Sequence, residues 1–285
     1  MDVSVVIPVR DGAASIGPLL DSLAAQTLAA ERFEVIVVDN ASRDATADVA
    51  RRKGATVVSE PIANRSRARN RGAAAASTDL IAFTDADCVA DARWLEAFLE
   101  CRDAAPLVAG DVLVSTGDPP NLIERFETLW RFGQESWVRT QGWAATANLL
   151  VHREAFDAIG GLDPTWRHIG EDVDFCLRAA DAGYGLGWCP GAVVSHFAEC
   201  ELRPTLRRSF LHGYSVNQAY YRLGKGFRAW QHPKGVVSAK SALERTGIDP
   251  NRIAPGDQRG IGALARASYA ARVAGSAWAE LRRAR

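Results

Sequence analysis

Leu80-Ile81-Ala82-Phe83-Thr84-Asp85-Ala86-Asp87 decides how this chain is read. Its first four residues form an unbroken apolar run, the pattern of a buried strand. The two carboxylates then fall at alternate positions at the carboxyl end of that strand, where open α/β sheets place their ligands. Crowded carboxylates repel one another unless a cation or a proton intervenes. A divalent metal that holds a nucleotide diphosphate is the economical reason for such a pair. An isolated D-x-D is more often a solvated turn, so the rest of the chain has to support this one.

Working outward, strand and helix signals alternate through the first 115 residues. Val3–Ile7 is a β-branched run closed by Pro8, and Ile16, Leu19, Leu20 and Leu23 then mark one helical face up to Gln26. Val35–Val38 is a second buried strand ending at Asp39. Ser42 or Asp44 caps a helix that runs to Lys53 and stops at Gly54. Thr56–Ser59 is a short strand, Arg67–Ala76 a helix, Trp94–Cys101 another, and Leu107–Val114 a strand. This order predicts a Rossmann-like α/β fold: a mostly parallel, twisted, doubly wound sheet with helices on both faces. Neither G-x-G-x-x-G nor a Walker A sequence follows the first strand, so phosphates need another holder.

The stretch Asn121–Thr140 is helical in pattern and rich in aromatic residues: Phe126, Trp130, Phe132 and Trp137. Asn148–Val151 reads as a strand or turn, and Arg153–Ile159 as a helix ended by Gly160-Gly161. Glu171–Ala182 is a helix whose acidic opening suits the positive end of a helix dipole. Val193-Val194 leads into His196 at another strand end. Helical segments dominate beyond Leu202, which predicts two domains, 1–200 and a mainly helical 201–285.

No run approaches the ~18 apolar residues of a membrane span, and the first strand begins at once, which predicts a cytoplasmic protein. The five cysteines form no C-x-x-C pair, so free buried thiols are expected rather than zinc or redox chemistry. A net charge of zero conceals an asymmetry: residues 201–285 carry 16 Lys+Arg against 5 Asp+Glu, leaving 18 and 29 in the first 200. Arg207-Arg208, Arg222, Lys225, Arg228, Lys234 and Arg282-Arg283-Ala284-Arg285 contribute to it. Such a basic quarter is either a solvated face, a peripheral contact with an anionic membrane, or an interface in a homodimer. Nothing in the pattern calls for nucleic acid.

Four elements now fall in order: Val5-Val6-Ile7-Pro8, Val37-Val38-Asp39-Asn40-Ala41-Ser42, Asp85-Ala86-Asp87, and Gly170-Glu171-Asp172-Val173-Asp174. With Ala68-Arg69-Asn70-Arg71-Gly72, Gly160-Gly161-Leu162-Asp163 and His196, they resemble the family 2 glycosyltransferases over about Asp2–Phe197. That family is inverting and has the A-type nucleotide-sugar fold. The resemblance implies that Pro8 and Val9 lie against a nucleobase and that Asp39 accepts a ring N–H, favouring a UDP- or dTDP-sugar. It places Arg67 and Ala86 beside the nucleotide, Asp85 at the ribose or the metal side, and Asp87 and His196 on the metal. Asp172 is implied as general base, with Glu171 sharing the catalytic position or answering the helix dipole. Arg10-Asp11 departs from the commoner Tyr-Asn of the family.

The chemistry agrees with these roles. A sugar leaving a nucleoside diphosphate builds charge that a cation can stabilise. Two carboxylates with an imidazole favour Mn²⁺ over Mg²⁺. The attacking hydroxyl of a glycan, lipid-linked or small-molecule acceptor has to lose a proton, so an aspartate within reach is expected. Asn148, after the small residues Ala144–Ala147, is a candidate sugar contact, and Trp166 and His168 a candidate acceptor-side lid. Two other readings compete. A sugar-nucleotide pyrophosphorylase should carry a basic residue in the loop after strand one, and Gly12-Ala13-Ala14 has none. A non-catalytic, membrane-associated binding subunit would not need both Asp87 and Asp172.

Overall fold

All five residues of Leu80–Thr84 are buried, as a strand inside a covered sheet has to be. The computed structural model describes residues 1–130, 132–167, 169–224 and 252–283; His168, Lys225, Arg228, Lys234 and Arg285 lie outside them. In chain order the elements are β1 (Val3–Val9), α1 (Ile16–Ala24), β2 (Phe33–Asp39), α2 (Thr46–Arg52), β3 (Thr56–Ser59) and α3 (Arg65–Ala75). There follow β4 (Leu80–Thr84), β5 (Cys88–Ala90), α4 (Trp94–Cys101), β6 (Leu107–Ser115), α5 (Leu122–Trp130) and α6 (Gln134–Gln141). The last are β7 (Asn148–His152), α7 (Arg153–Ala158), α8 (Glu171–Asp181), β8 (Leu186–Phe197), α9 (Leu202–Arg222) and α10 (Gln258–Arg283).

One eight-stranded sheet has the order β3-β2-β1-β4-β7-β6-β8-β5. β1 pairs in parallel with β2 and β4, and β2 with β3. Each of these connections carries a helix, the crossover that parallel neighbours require. Beyond β4 the printed pairings, β4–β7, β6–β7 and β5–β8, are antiparallel, so the sheet is mixed where a mostly parallel one was expected. Between β6 and β7 the chain departs from this compact unit at Val114 and rejoins it at Gln134, which frees β7 from the direction a single crossover helix imposes. Gly72 lets α3 lie close on the parallel half: a Cβ there would come within 2.3 Å of Val6 and 2.9 Å of Val38.

A second unit takes in Val114–Gly133 and Phe197–Arg285. Its core joins Phe126 of α5 to Ile253, Ile261, Leu264 and Ala265, with Trp130 stacked on Phe126. α9 and α10 run in the same direction, since Gly213 accepts from Ser276 and, a turn further along both, Asn217 reaches Glu280. Two glycines set their spacing. A Cβ on Gly213 would lie 2.0 Å from the Arg272 carbonyl oxygen, and one on Gly275 2.0 Å from that of Phe210. No helix among the described residues is long and apolar enough to cross a membrane.

Cys101, at the end of α4, is disulfide-bonded to Cys189 of β8, with their Cα atoms 6.0 Å apart. This corrects the expectation of free thiols throughout. The pair is 88 residues apart in sequence, a distance at which spacing says nothing about connectivity. Cys88 and Cys176 are free and buried, and Cys200 is free and exposed.

Candidate active site

α3 begins where Asn64 accepts a hydrogen bond from the Arg67 backbone N–H at 2.9 Å, the N-cap arrangement that satisfies an orphan donor. One turn on, Arg69 is only 2% exposed. Its Nη2 donates to Asp85 at 2.6 Å and its Nη1 to Glu171 at 3.1 Å. Burial alone would raise the Asp85 carboxyl, but Arg69, helped by His196 and Arg65, outweighs it and holds the group below its ordinary range. The same carboxylates, with Asp172, raise Arg69 against its own burial. The strand-end acid is therefore an ion-paired carboxylate, about a third of it still exposed.

Asn70 positions the opposite wall. Its amide donates to the Leu162 carbonyl at 2.8 Å and accepts from the Leu162 N–H at 2.9 Å. Arg178 of α8 donates to the carbonyls of Ile159 and Gly161 at 2.7 and 2.8 Å. Gly161 sits at φ 66°, a left-handed backbone that glycine adopts without steric cost. This turn is clamped between α3 and α8, and α8 opens with Glu171 and Asp172. Glu171 Oε2 is buried with no hydrogen-bond partner among the described residues. Burial, then the neighbouring Glu171 charge, pushes the Asp172 carboxyl up to about 7. A carboxylate tuned that way is suited to take a proton near neutral pH.

The register Cys88↔His196 brings the strand after the acidic triplet against the end of β8. His196 Nε2 lies 3.2 Å from the Asp87 carboxylate. Ligand atoms of Asp87, Cys88 and His196 all lie within 4.8 Å of one another. His196 is buried while Asp87 is about half exposed, so the cluster is open on the carboxylate side. Oxygen, imidazole and sulfur donors fit a borderline divalent ion. Asp85 is not in this cluster, because Arg69 holds it.

Beyond β1 and β2, two loops are latched together. The Asp11 N–H donates to Ser42 Oγ at 3.0 Å, and the Arg43 N–H to the Asp11 carboxylate at 2.8 Å. Asp11 and Ala41 both take positive φ, 52° and 57°, conformations that non-glycine residues hold only where surroundings enforce them. Val9 is buried and Pro8 partly so, while Asp39 is half-buried and accepts from the Ser42 N–H at 3.2 Å. Arg67 donates to Glu60 at 3.3 Å, and Ala86 is buried.

Two candidates sit elsewhere than expected. Asn148 is fully buried, and its amide is consumed by the core: it donates to the Asp111 and Ala192 carbonyls and accepts from the Trp94 indole. It ties strands together and is not placed to meet a sugar. Trp166 is also buried, its carbonyl accepting from Asn64 at 2.9 Å, so it packs under the loop. Arg69, Asn70 and Cys88 were given no role from sequence. Their signal lay in the Ala68–Gly72 block and in the residue directly after the acidic triplet.

Comparison with known proteins shows the family and the fold. Glycosyltransferase AglE of Haloferax volcanii is 29% identical over 204 residues, covering 68% of this chain and 66% of that protein. A pre-mycofactocin glycosyltransferase of Mycobacterium tuberculosis is 34% identical over 228 residues, covering 75% and 47%. The chain thus spans about half to two-thirds of the length of these relatives. Among solved structures, the mannosyltransferase PcManGT from Pyrobaculum calidifontis, in complex with GDP-Man and Mn²⁺, is similar at TM-score 0.57 and 19% identity, over 98% of this chain and 75% of that one. Staphylococcus aureus TarS 1–349, in complex with UDP, is similar at TM-score 0.55 and 15% identity, over 100% and 92%. Both likenesses show the A-type glycosyltransferase fold. Residues 4–160, more than half of the chain, match the family described as Glycosyl transferase family 2, and the chain belongs to it.

Proposed function

We propose that this chain transfers a sugar from a nucleoside-diphosphate sugar to an acceptor hydroxyl, inverting the anomeric centre, with Asp172 as general base. The observation that carries this reading is the position of Asp172 in the first turn of α8, next to Glu171, which a buried Arg69 ties to the strand-end Asp85. In this reading Asp172 accepts the proton of the attacking hydroxyl, and no second carboxylate acts as nucleophile. Glu171, held by Arg69, orients the helix start that presents Asp172. Asp39 accepts a base N–H, which favours a uracil or thymine nucleotide, and Pro8 and Val9 form the apolar floor. Arg67 and Ala86 line the nucleotide, and Asp85 faces the ribose side.

Asp87 and His196 would hold a divalent cation, Mn²⁺ ahead of Mg²⁺. When bound, such an ion would supply the charge neutralisation that a departing diphosphate requires. The nucleotide sugar and Mn²⁺ of PcManGT and the UDP of TarS support that donor class. The acceptor is a hydroxyl of a glycan, a lipid-linked sugar or a small molecule. The exposed Tyr221, Trp278 and Leu281, with Arg282 over the Trp278 ring at 5.6 Å, support a peripheral seat on an anionic membrane, at its cytoplasmic face.

Two variants test the assignment. Asp172→Asn is expected to bind UDP with Mn²⁺ as the wild type does, by calorimetry, and to lose sugar transfer. Asp87→Ala is expected to lose Mn²⁺-dependent UDP binding. Undiminished transfer by Asp172→Asn would remove the base from Asp172, and Mn²⁺-dependent binding retained by Asp87→Ala would remove the metal from that site.

A further inference from the structure

We infer that the thiolate of Cys88 is a ligand of the cation held by Asp87 and His196, making a mixed oxygen, nitrogen and sulfur site. The inference rests on the metal site proposed above and says what kind of site it is. Cys88 and His196 are direct cross-strand partners in the β5–β8 ladder, and opposed residues project their side chains from the same face of a sheet. Both are buried, Cys88 at 0% and His196 at 4% exposure. Cys88 follows Asp87 in the chain, so one strand start supplies two donors and the facing strand the third. Bonds of about 2.0–2.3 Å to one ion place its ligand atoms within roughly 4.5 Å of each other. The three side chains have theirs within 4.8 Å, a few tenths of an ångström from that span.

A buried cysteine often serves only as a small apolar group. Cys176 fits that description, packed in α8 with its thiol toward the Ala144 carbonyl. Cys88 differs in having its sulfur within 4.8 Å of both the Asp87 carboxylate and the His196 imidazole. On coordination its thiol proton passes to solvent and the sulfur bonds the ion as a thiolate. Thiolate donors favour borderline and soft ions, and Mg²⁺ prefers oxygen octahedra. The site should therefore take Co²⁺, Zn²⁺ and Cd²⁺ readily and Mg²⁺ poorly.

Co²⁺ is the probe that reports sulfur directly, through a sulfur-to-metal charge-transfer band in the near ultraviolet. The full chain is titrated with Co²⁺ in the presence of UDP, with calorimetry and absorbance read together. The wild type is expected to bind Co²⁺ and develop the band in step with occupancy. Cys88→Ser is expected to bind Co²⁺ without the band, and Cys176→Ser to keep it. Calorimetric binding by the wild type without the band overturns the inference and leaves the metal reading standing; this arm needs no variant. A band that survives in Cys88→Ser overturns it as well. Absence of any Co²⁺ binding by the wild type overturns the metal reading and this inference together.

Discussion

Arg69 and Glu171 stand 102 residues apart in the chain and meet at 3.1 Å inside the protein, while the other arm of the same guanidinium holds Asp85. One buried cation thus joins the strand-end acidic triplet to the helix that carries Asp172. Breaking a buried pair costs more than never having had it, because the surviving charges remain desolvated.

Arg69→Met is accordingly expected to lose about 3–5 kcal/mol of stability at pH 7, read by urea unfolding. The pH dependence carries the sign. Asp85 is held below its ordinary value by Arg69, so in the wild type its contribution is present above about pH 4 and lost as pH falls through the folded pKa. In Arg69→Met that contribution is gone, and the gap between variant and wild type should narrow on acidification. A loss under about 1 kcal/mol would show that the network is not what fixes this junction.

Asp172 titrates in the opposite sense. Its carboxyl is raised to about 7, so kcat/KM for transfer should fall below about pH 7 as the base becomes protonated. Asp172→Asn should abolish that limb and lower the rate by ~10²–10⁴-fold. The raised value also means that ionising Asp172 destabilises the fold as pH rises from about 4 to 7. Asp172→Asn should therefore have a higher Tm than the wild type at pH 8 and a smaller difference at pH 4. Equal Tm values at pH 8 would contradict the raised carboxyl assigned to this group.

Gly213→Val tests the close approach of α9 and α10. Its Cβ would lie 2.0 Å from the Arg272 carbonyl oxygen, backbone that cannot swing aside. Overpacking of this kind typically costs about 1–3 kcal/mol, and thermal unfolding should show it at the described helix pair. A helix-interior glycine replaced without loss of Tm would mean that the two helices are not in contact there.

The Cys101–Cys189 bond is checked by counting thiols. The unfolded, unreduced chain should titrate three, from Cys88, Cys176 and Cys200, and five after reduction. Five without reduction would return the pair to free thiols and favour the reducing compartment expected from the sequence.

Co-sedimentation with liposomes tests the membrane seat. Binding to anionic but not neutral vesicles, weakened by salt, is expected, with each basic residue at the surface worth ~1 kcal/mol. Trp278→Ala with Leu281→Ala should weaken binding to anionic vesicles. A dimer in solution that ignores both vesicle types would assign this face to a second copy instead.

Much of this was legible in the chain itself. The β-branched and apolar runs at Val3, Val35 and Leu80, set between helical faces, specify β1, β2 and β4 and place Asp85 and Asp87 at a carboxyl strand end, because period and burial are local properties. The acidic opening of α8 was readable for the same reason. The antiparallel half of the sheet was not, nor was β5, three residues long, since pairing partners are chosen by distant segments. Arg69 looked like one helix arginine among several until folding set it between Asp85 and Glu171. Asn148 looked like a sugar contact until Trp94, Asp111 and Ala192 took its hydrogen bonds. Sequence by itself determined which residues end which elements and therefore which chemistry was on offer. Only the tertiary structure decided which carboxylates are paired, which is raised, and which cysteine meets a histidine, because those depend on desolvation and on contacts between residues more than 100 apart in the chain.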